Sequence, residues 1–214
     1  MEGALPIGAM ITGKRLELAR LQDVVVEIVY RHVQSDALLY GGTAIWRCYS
    51  GARFSDDIDI YVGKSFEHGF TKALDMYGLV ITWRDKDPST RMRISDGNAE
   101  LLFEAKAGKA EGILAQYRKV DGSAMTVYTL SPSELLKRKI EAYEGRRYMR
   151  DVYDMMQLTN FLDRKDHYVR QNLEDFLKAA KKPVDEKILA SLLYEGSGSV
   201  SFNDIMKYLK SWLG

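Results

Sequence analysis

A single cysteine, Cys48, stands among 214 residues. One thiol cannot close an internal disulfide or build a cysteine zinc site, and this fits a reducing compartment. Cys48 itself reads as a small buried apolar residue on a helix. The three histidines, His32, His68 and His167, are too scattered for metal-ligand spacing. No stretch approaches the roughly 20 apolar residues that cross a bilayer, and Met1-Glu2-Gly3-Ala4-Leu5-Pro6-Ile7 sets no basic leader ahead of an apolar run. These absences predict a cytoplasmic protein without membrane association. Charge of one sign is missing as well. Lys and Arg total 31 against 30 for Asp and Glu, a formal net charge of +1, so a nucleic-acid surface would have to come from local asymmetry. There is no Walker loop or dinucleotide fingerprint, no Ser-His-Asp setting around Ser55 and no internal repeat. The stretch Gly196-Ser197-Gly198-Ser199 reads as a short loop.

The length suits one large domain or two small ones. Apolar residues at Leu18, Leu21, Val25, Ile28 and Val29 predict a helix over 16–33. Residues 37–40 read as a short buried strand, 43–49 as a helix and 66–77 as a helix ended by Gly78. Strands are expected at 56–62, 79–84, 91–95, 100–105 and 125–129. At Ser131-Pro132-Ser133-Glu134 a serine cap, a proline in the first position and a glutamate three residues past the cap announce a helix. The pattern then stays helical almost to Gly214, broken near Gly145, Pro183 and residues 195–200. The expectation is an α/β (α+β) fold, a mixed sheet flanked by helices over 1–130, with a helical subdomain over 131–214 that shares a cleft with it.

The informative stretch is Gly41-Gly42-Thr43, followed fourteen positions after Thr43 by Asp57-Ile58-Asp59. Side chains alternate along a strand, so Asp57, Asp59 and Tyr61 share one face while Ile58, Ile60 and Val62 anchor the other. Two carboxylates on one face can hold Mg²⁺ (or Mn²⁺) together with nucleotide phosphates. The glycines permit a tight turn and close backbone approach, and free N–H groups at the next helix start favour a phosphate. Together they suit metal-dependent nucleotidyl transfer. Glu104 lies opposite Leu101 and Phe103 on its strand; it is either a third acid at the metals or an exposed strand glutamate, with Glu100 the weaker substitute. Between residues 137 and 150 six basic side chains face two acidic ones, and apolar Leu135, Leu136, Ile140 and Tyr143 fix that helix. A lysine there could neutralise a triphosphate. Asp151 and Asp154, i and i+3, are adjacent on a helix surface, as a base or orienting acid or as ordinary surface pairs.

Three motifs in order, Leu39-Tyr40-Gly41-Gly42-Thr43-Ala44, Arg53-Phe54-Ser55-Asp56-Asp57-Ile58-Asp59 and Arg150-Asp151-Val152-Tyr153-Asp154, resemble the AbiEii/AbiGii-type nucleotidyltransferases. These are toxins of type IV toxin–antitoxin and phage-abortive systems within the DNA polymerase β-like superfamily. The helix from Glu134 to Ala142 is similar to the family's lysine-bearing motif. The resemblance implies that Gly41, Gly42 and Thr43 hold nucleotide phosphates and that Asp57 and Asp59 bind Mg²⁺. It implies that Lys139, or alternatively Lys137, contacts the triphosphate, that Asp151 is the late catalytic aspartate, and that Arg53 and Ser55 line the same pocket. It further implies an NTP substrate, an RNA acceptor such as the tRNA 3′ end, and an antitoxin protein as partner. Two other readings remain: transfer to a protein or small molecule, and a catalytically silent module that binds nucleotide or a partner. Clustered carboxylates repel without metal, which argues against the silent reading.

Overall fold

The structure, a computed structural model, describes residues 6–194 and 200–214. The loop expected at Gly196–Ser199 and most of the N-terminal segment lie outside the described residues. The chain divides into two compact units, one of residues 1–48 and 54–130, the other of 49–53 and 131–214.

The first unit is a seven-stranded mixed sheet with helices. Its helices are α1 (Ile7–Met10), α2 (Gly13–Ile28), α3 (Gly41–Cys48) and α4 (Phe66–Met76). Its strands are β1 (Leu38–Tyr40), β2 (Asp57–Val62), β3 (Val80–Asp85), β4 (Thr90–Ser95), β5 (Glu100–Ala107), β6 (Ile113–Arg118) and β7 (Ala124–Thr129), in the order β3-β4-β5-β2-β1-β7-β6. β2 pairs antiparallel with β1 and parallel with β5, and β1 runs parallel to β7. The mixed α/β architecture expected from sequence is therefore the one observed.

Strand alternation separates the two sheet faces. Ile58, Ile60 and Val62 are buried, as are Leu101, Phe103 and Ala105 beside them. Phe66 and Phe70 of α4 stack on Phe103, with Phe70 and Phe103 centroids 4.6 Å apart. On the opposite face Asp57, Asp59 and Tyr61 are half-buried, while Leu102 and Tyr128 are exposed. One face thus makes the core and the other carries Asp57 and Asp59.

Several elements differ from the sequence reading, among them the short helix α1 and the following two. β6 was not expected, because its alternation is blurred: Ile113 and Leu114 are both exposed and only Tyr117 is fully buried. The helix of residues 16–33 begins three residues earlier and ends in a π turn over Val29–Val33.

A buried polar network ties α2 and α3 to β6. Arg47 has no exposed surface. Its guanidinium donates to the Ala19 carbonyl at 3.0 Å, to Gln22 Oε1 at 3.3 Å and to the Arg118 carbonyl at 3.2 Å, and lies 3.9 Å from the Trp46 ring. Asp23 faces it at 3.4 Å and accepts from Tyr117 Oη at 3.1 Å and from the Val120 N–H at 2.7 Å. Burial pushes the Asp23 carboxyl above its ordinary value, against the pull of Arg47. Gln22 carries the network onward by donating to the Ser55 carbonyl at 2.8 Å, which fixes the chain just ahead of β2. Burial also pushes the Cys48 thiol up to about 12, so it is inert at neutral pH.

The second unit is helical: α5 (Pro132–Arg146), α6 (Met149–Leu158), α7 (His167–Ala179), α8 (Leu189–Leu192) and α9 (Phe202–Leu213). Ser131 caps α5 by accepting the Glu134 N–H at 3.2 Å, with Pro132 in the first position. Leu135, Leu136, Ile140 and Tyr143 are buried, packing α5 through one stripe. The break expected near Gly145 falls at Arg147, which adopts φ +53 and donates its N–H to the Tyr143 carbonyl at 2.7 Å. Among the described residues no helix is long and apolar enough to cross a membrane.

Removing a fully buried cation strands its acid, so Arg47→Ala should cost about 3–5 kcal/mol in urea unfolding. Arg31 meets Glu27 at 2.6 Å with 62% of its side chain exposed, and Arg31→Ala should stay within about 0.5 kcal/mol. Equal effects of the two substitutions would remove the network from the stability argument.

Candidate active site

β1 ends at Tyr40, and α3 begins directly at Gly41, so the glycine pair is the helix's first turn and not a separate loop. Gly41 has φ +76, a left-handed conformation that favours glycine, and a Cβ built on it would overlap Asp59 Oδ2. The β1–β2 register pairs Tyr40 with Asp59, which brings this carboxylate against the start of α3. The first backbone N–H groups of α3 have no intrahelical partner and form a cradle for anions. Thr43 does not turn into that cradle: its hydroxyl donates to the Asp57 carbonyl and ties α3 to β2. Gly42 is buried beside it.

Asp57 accepts from Ser55 Oγ at 3.1 Å, so the Ser55 hydroxyl orients the carboxylate at the head of β2. In the parallel pairing, Asp59 is level with Glu104 and Asp57 with Leu102. Glu104 therefore stands on the same face, one strand away from Asp59, roughly 4.8 Å between backbones. It accepts from Ser89 Oγ at 2.9 Å and lies 3.4 Å from Lys106 Nζ. Tyr40 and Tyr61 stack beside these acids, centroids 4.5 Å apart.

No group of three or more His, Cys, Asp and Glu among the described residues is close enough to hold an ion. The donor set nevertheless fits a hard divalent cation: it is all oxygen, it shares one face, and one carboxylate rests on a glycine that leaves it room.

The remaining candidates lie in the helical unit. Lys139 is buried, with Nζ at 2.7 Å from Asp154 Oδ2 and 3.2 Å from Asp151 Oδ1. Arg53 reaches Asp154 through Nε and Nη2, both at 2.6 Å. Arg146 holds Asp151 in the same two-pronged way, both contacts 2.8 Å. Asp151 and Asp154 were expected to lie adjacent on a helix surface; both are fully buried, because three cations surround them. Burial would raise the Asp154 carboxyl, but Arg53 and Lys139 hold it below the usual carboxylate range. Lys137 is half-buried on the same helix. The structure thus gathers Ser55, Asp57, Asp59, Glu104, Gly41, Gly42 and Thr43 within the sheet unit, and Arg53, Lys139 and Asp151 within the helical one. Arg146 joins this cluster without a sequence signal, because its five-residue spacing from Asp151 spans a helix break.

Asp154→Asn would leave two buried cations facing each other, an expected loss of about 3–5 kcal/mol at pH 7. The folded value is depressed, so the stabilisation is present above roughly pH 4 and lost as pH falls through the folded value. Urea unfolding of both proteins from pH 7 to 3 should show the wild-type advantage shrinking only at the acid end. A constant difference across that range would detach the loss from ionisation.

A model of the AbiEii nucleotidyl transferase toxin of type IV toxin–antitoxin systems matches residues 24–207. Among solved structures, the chain is similar to MenT4, a nucleotidyltransferase toxin from Mycobacterium tuberculosis H37Rv, at 15% identity and TM-score 0.66, covering 94% of this chain and 83% of that one. It is also similar to JHP933 from Helicobacter pylori, at 17% identity and TM-score 0.63, covering 95% and 91% respectively. At these identities the structural likeness speaks for the fold. No curated protein matches the chain. The family match spans most of the sequence and contains all three motifs in full, so the chain belongs to the AbiEii family of nucleotidyltransferase toxins.

Proposed function

We propose that this nucleotidyltransferase moves a nucleotide from an NTP onto the 3′ end of an RNA, tRNA first among candidates, in a reaction that depends on Mg²⁺ or Mn²⁺. It acts in the cytoplasm, as a toxin restrained by an antitoxin protein. The carrying observation is the face shared by Asp57 and Asp59 on β2, with Gly41 pressed against Asp59 and Glu104 level with it on β5. Asp57 and Asp59 would hold the divalent ion, with Glu104 as third acid. When bound, the ion supplies charge neutralisation at the phosphates and a more acidic acceptor hydroxyl.

The chain's own groups do the rest. The N–H groups of Gly41, Gly42 and Thr43 at the head of α3 bind phosphate oxygens, and the missing Cβ of Gly41 keeps that approach open. Ser55 and Thr43 hold the head of β2 still, one through the Asp57 carboxylate and the other through its carbonyl. Such fixed placement is how positioning and electrostatics lower a transfer barrier. Following the family's motif order, Lys139 contacts the triphosphate, with Lys137 the alternative, Asp151 is the late catalytic acid, and Arg53 completes the set. The two-pronged grips of Arg53 and Arg146 on Asp154 and Asp151 support that reading, since they fix the Lys139 ammonium between two oriented carboxylates. An acceptor hydroxyl attacks the α-phosphorus and loses its proton to solvent, the bond to the bridging oxygen breaks, and pyrophosphate leaves.

The test is incubation with each labelled NTP and total RNA, then with purified tRNA. Label should appear in RNA, vanish with EDTA and return with Mg²⁺ or Mn²⁺. Asp57→Asn and Asp59→Asn should each lower incorporation by roughly 100-fold or more at unchanged circular dichroism, because both side chains lie off the core face. Label in protein alone would move the acceptor to the rival reading, and full activity in both variants would end the assignment of the carboxylates.

Gly41→Ala tests the cradle. It places a side chain where Asp59 Oδ2 lies and forces a φ of +76 on an L-residue. The expected cost is about 1–2 kcal/mol of stability, with a loss of turnover well beyond that from the displaced carboxylate. Wild-type kinetics in this variant would make the glycine a helix start and nothing more.

A further inference from the structure

Beyond the acids, the same sheet face continues into a cavity of about 260 Å³ with no role so far. Its floor is Leu38, which pairs with Tyr61 on one neighbouring strand and with Tyr128 on the other. The three residues therefore form one row across β2, β1 and β7 and share a face. Neighbouring strands lie roughly 4.8 Å apart, which sets the two tyrosines about 10 Å apart at the backbone. A planar ring held between two others needs about 7 Å, twice an optimal carbon–carbon separation, so rings leaning slightly inward would clamp one. Tyr40, two residues past Leu38 on the same face of β1, stacks on Tyr61 with centroids 4.5 Å apart. Gly108 lines the cavity beside Tyr61, whose Cδ1 lies 3.6 Å from where a Cβ of residue 108 would stand.

The rim is polar in a particular way. Gln34 spends its Oε1 on the Gly63 N–H at 2.9 Å and so offers an amide NH₂ donor. Asp36 is an acceptor and Lys109 a cation, both lining the same cavity and both exposed. An apolar floor, two aromatic walls, one donor, one acceptor and one cation suit a flat heterocycle with donor and acceptor edges that carries a phosphate. The volume agrees. An apolar cavity of roughly 150 Å³ takes up benzene, and this one has room for a two-ring base but not for a whole triphosphate.

We infer that the Tyr61–Leu38–Tyr128 row is a nucleobase subsite, with Lys109 placed for an adjoining phosphate. The inference rests on the nucleotidyl-transfer reading for its relevance, because Tyr61 lies two residues past Asp59 on the same face, about 7 Å along β2. The base belongs either to the incoming NTP or to the acceptor strand, and binding measurements separate the two. Base–aromatic stacking tolerates all four bases, so the subsite grips without reading sequence.

Fluorescence anisotropy gives the test, with a labelled single-stranded RNA oligonucleotide and, separately, a fluorescent non-hydrolysable NTP with Mg²⁺. Both are titrated into wild type, Tyr128→Ala, Tyr128→Phe and Lys109→Ala. Tyr128→Ala should weaken one probe by roughly 10-fold, at an unchanged melting curve. Tyr128→Phe, which keeps the ring, should stay within about twofold, and Lys109→Ala should weaken the same probe and steepen no melt. A loss confined to RNA assigns the acceptor's base, and a loss confined to the NTP assigns the incoming base. The proposal is overturned if Tyr128→Ala binds both probes as wild type does, if Tyr128→Phe is as weak as the alanine variant, or if wild type binds neither. These readouts need no turnover. Label transfer that survived Asp57→Asn would sink the catalytic reading without touching them.

Discussion

Asp59 Oδ2 occupies the space where any other residue at position 41 would carry its Cβ. That contact needs three things at once: β1 must stop at Tyr40, Tyr40 must face Asp59 in register, and residue 41 must tolerate φ +76. A slip of one residue would turn Asp57 and Asp59 into the core and Ile58 and Ile60 out to solvent, because strand side chains alternate. The apolar grip of Ile58, Ile60, Leu101 and Phe103 on the helical side forbids that slip. The chemistry of one face is therefore enforced by the packing of the other.

The Arg47 network extends this control to the start of β2. Gln22 sits between Arg47 and the Ser55 carbonyl, Ser55 Oγ holds Asp57, and Thr43 holds the Asp57 carbonyl from α3. A buried charge pair contributes little net stability compared with apolar packing, but it accepts few alternative arrangements. Here it sets where α2 and α3 lie relative to the strand that bears the acids.

Much of this was legible beforehand. The Asp57–Val62 alternation, the opposed Glu104 and Phe103 and the Ser131-Pro132 helix start are local patterns, and each appears where its period placed it. What was not legible depends on neighbours distant in sequence. β6 is an edge strand whose exposed Ile113 and Leu114 hide its period, and it forms because β7 offers a partner. Asp151 and Asp154 look like surface acids because helix spacing shows only which residues share a face, not what covers them. Their cover is Arg53, about a hundred residues earlier, together with Lys139 and Arg146. The family resemblance singled out Arg53, Lys139 and Asp151, but no spacing rule could have paired Arg53 with Asp154.

The two units treat their carboxylates in opposite ways, and this bears on the division of labour. In the helical unit Asp151 and Asp154 are saturated by Lys139, Arg53 and Arg146, and Asp154 is held ionised despite complete burial. Such acids have little capacity left for a further cation. They act most naturally by orienting the ammonium and guanidinium groups they touch. In the sheet unit Asp57 is half-buried, its described partner is a neutral hydroxyl, and Glu104 is level with Asp59 one strand away. Like charges at that separation repel until a cation joins them. The acids with room for a cation therefore lie on β2 and β5, whereas the helical unit holds its positive charge in Lys139 and Arg146 of α5 and in Arg53, fixed by the acids of α6. The proposed reaction would use each kind of group differently: open carboxylates suit a divalent ion, and cations already fixed by acids suit phosphate oxygens.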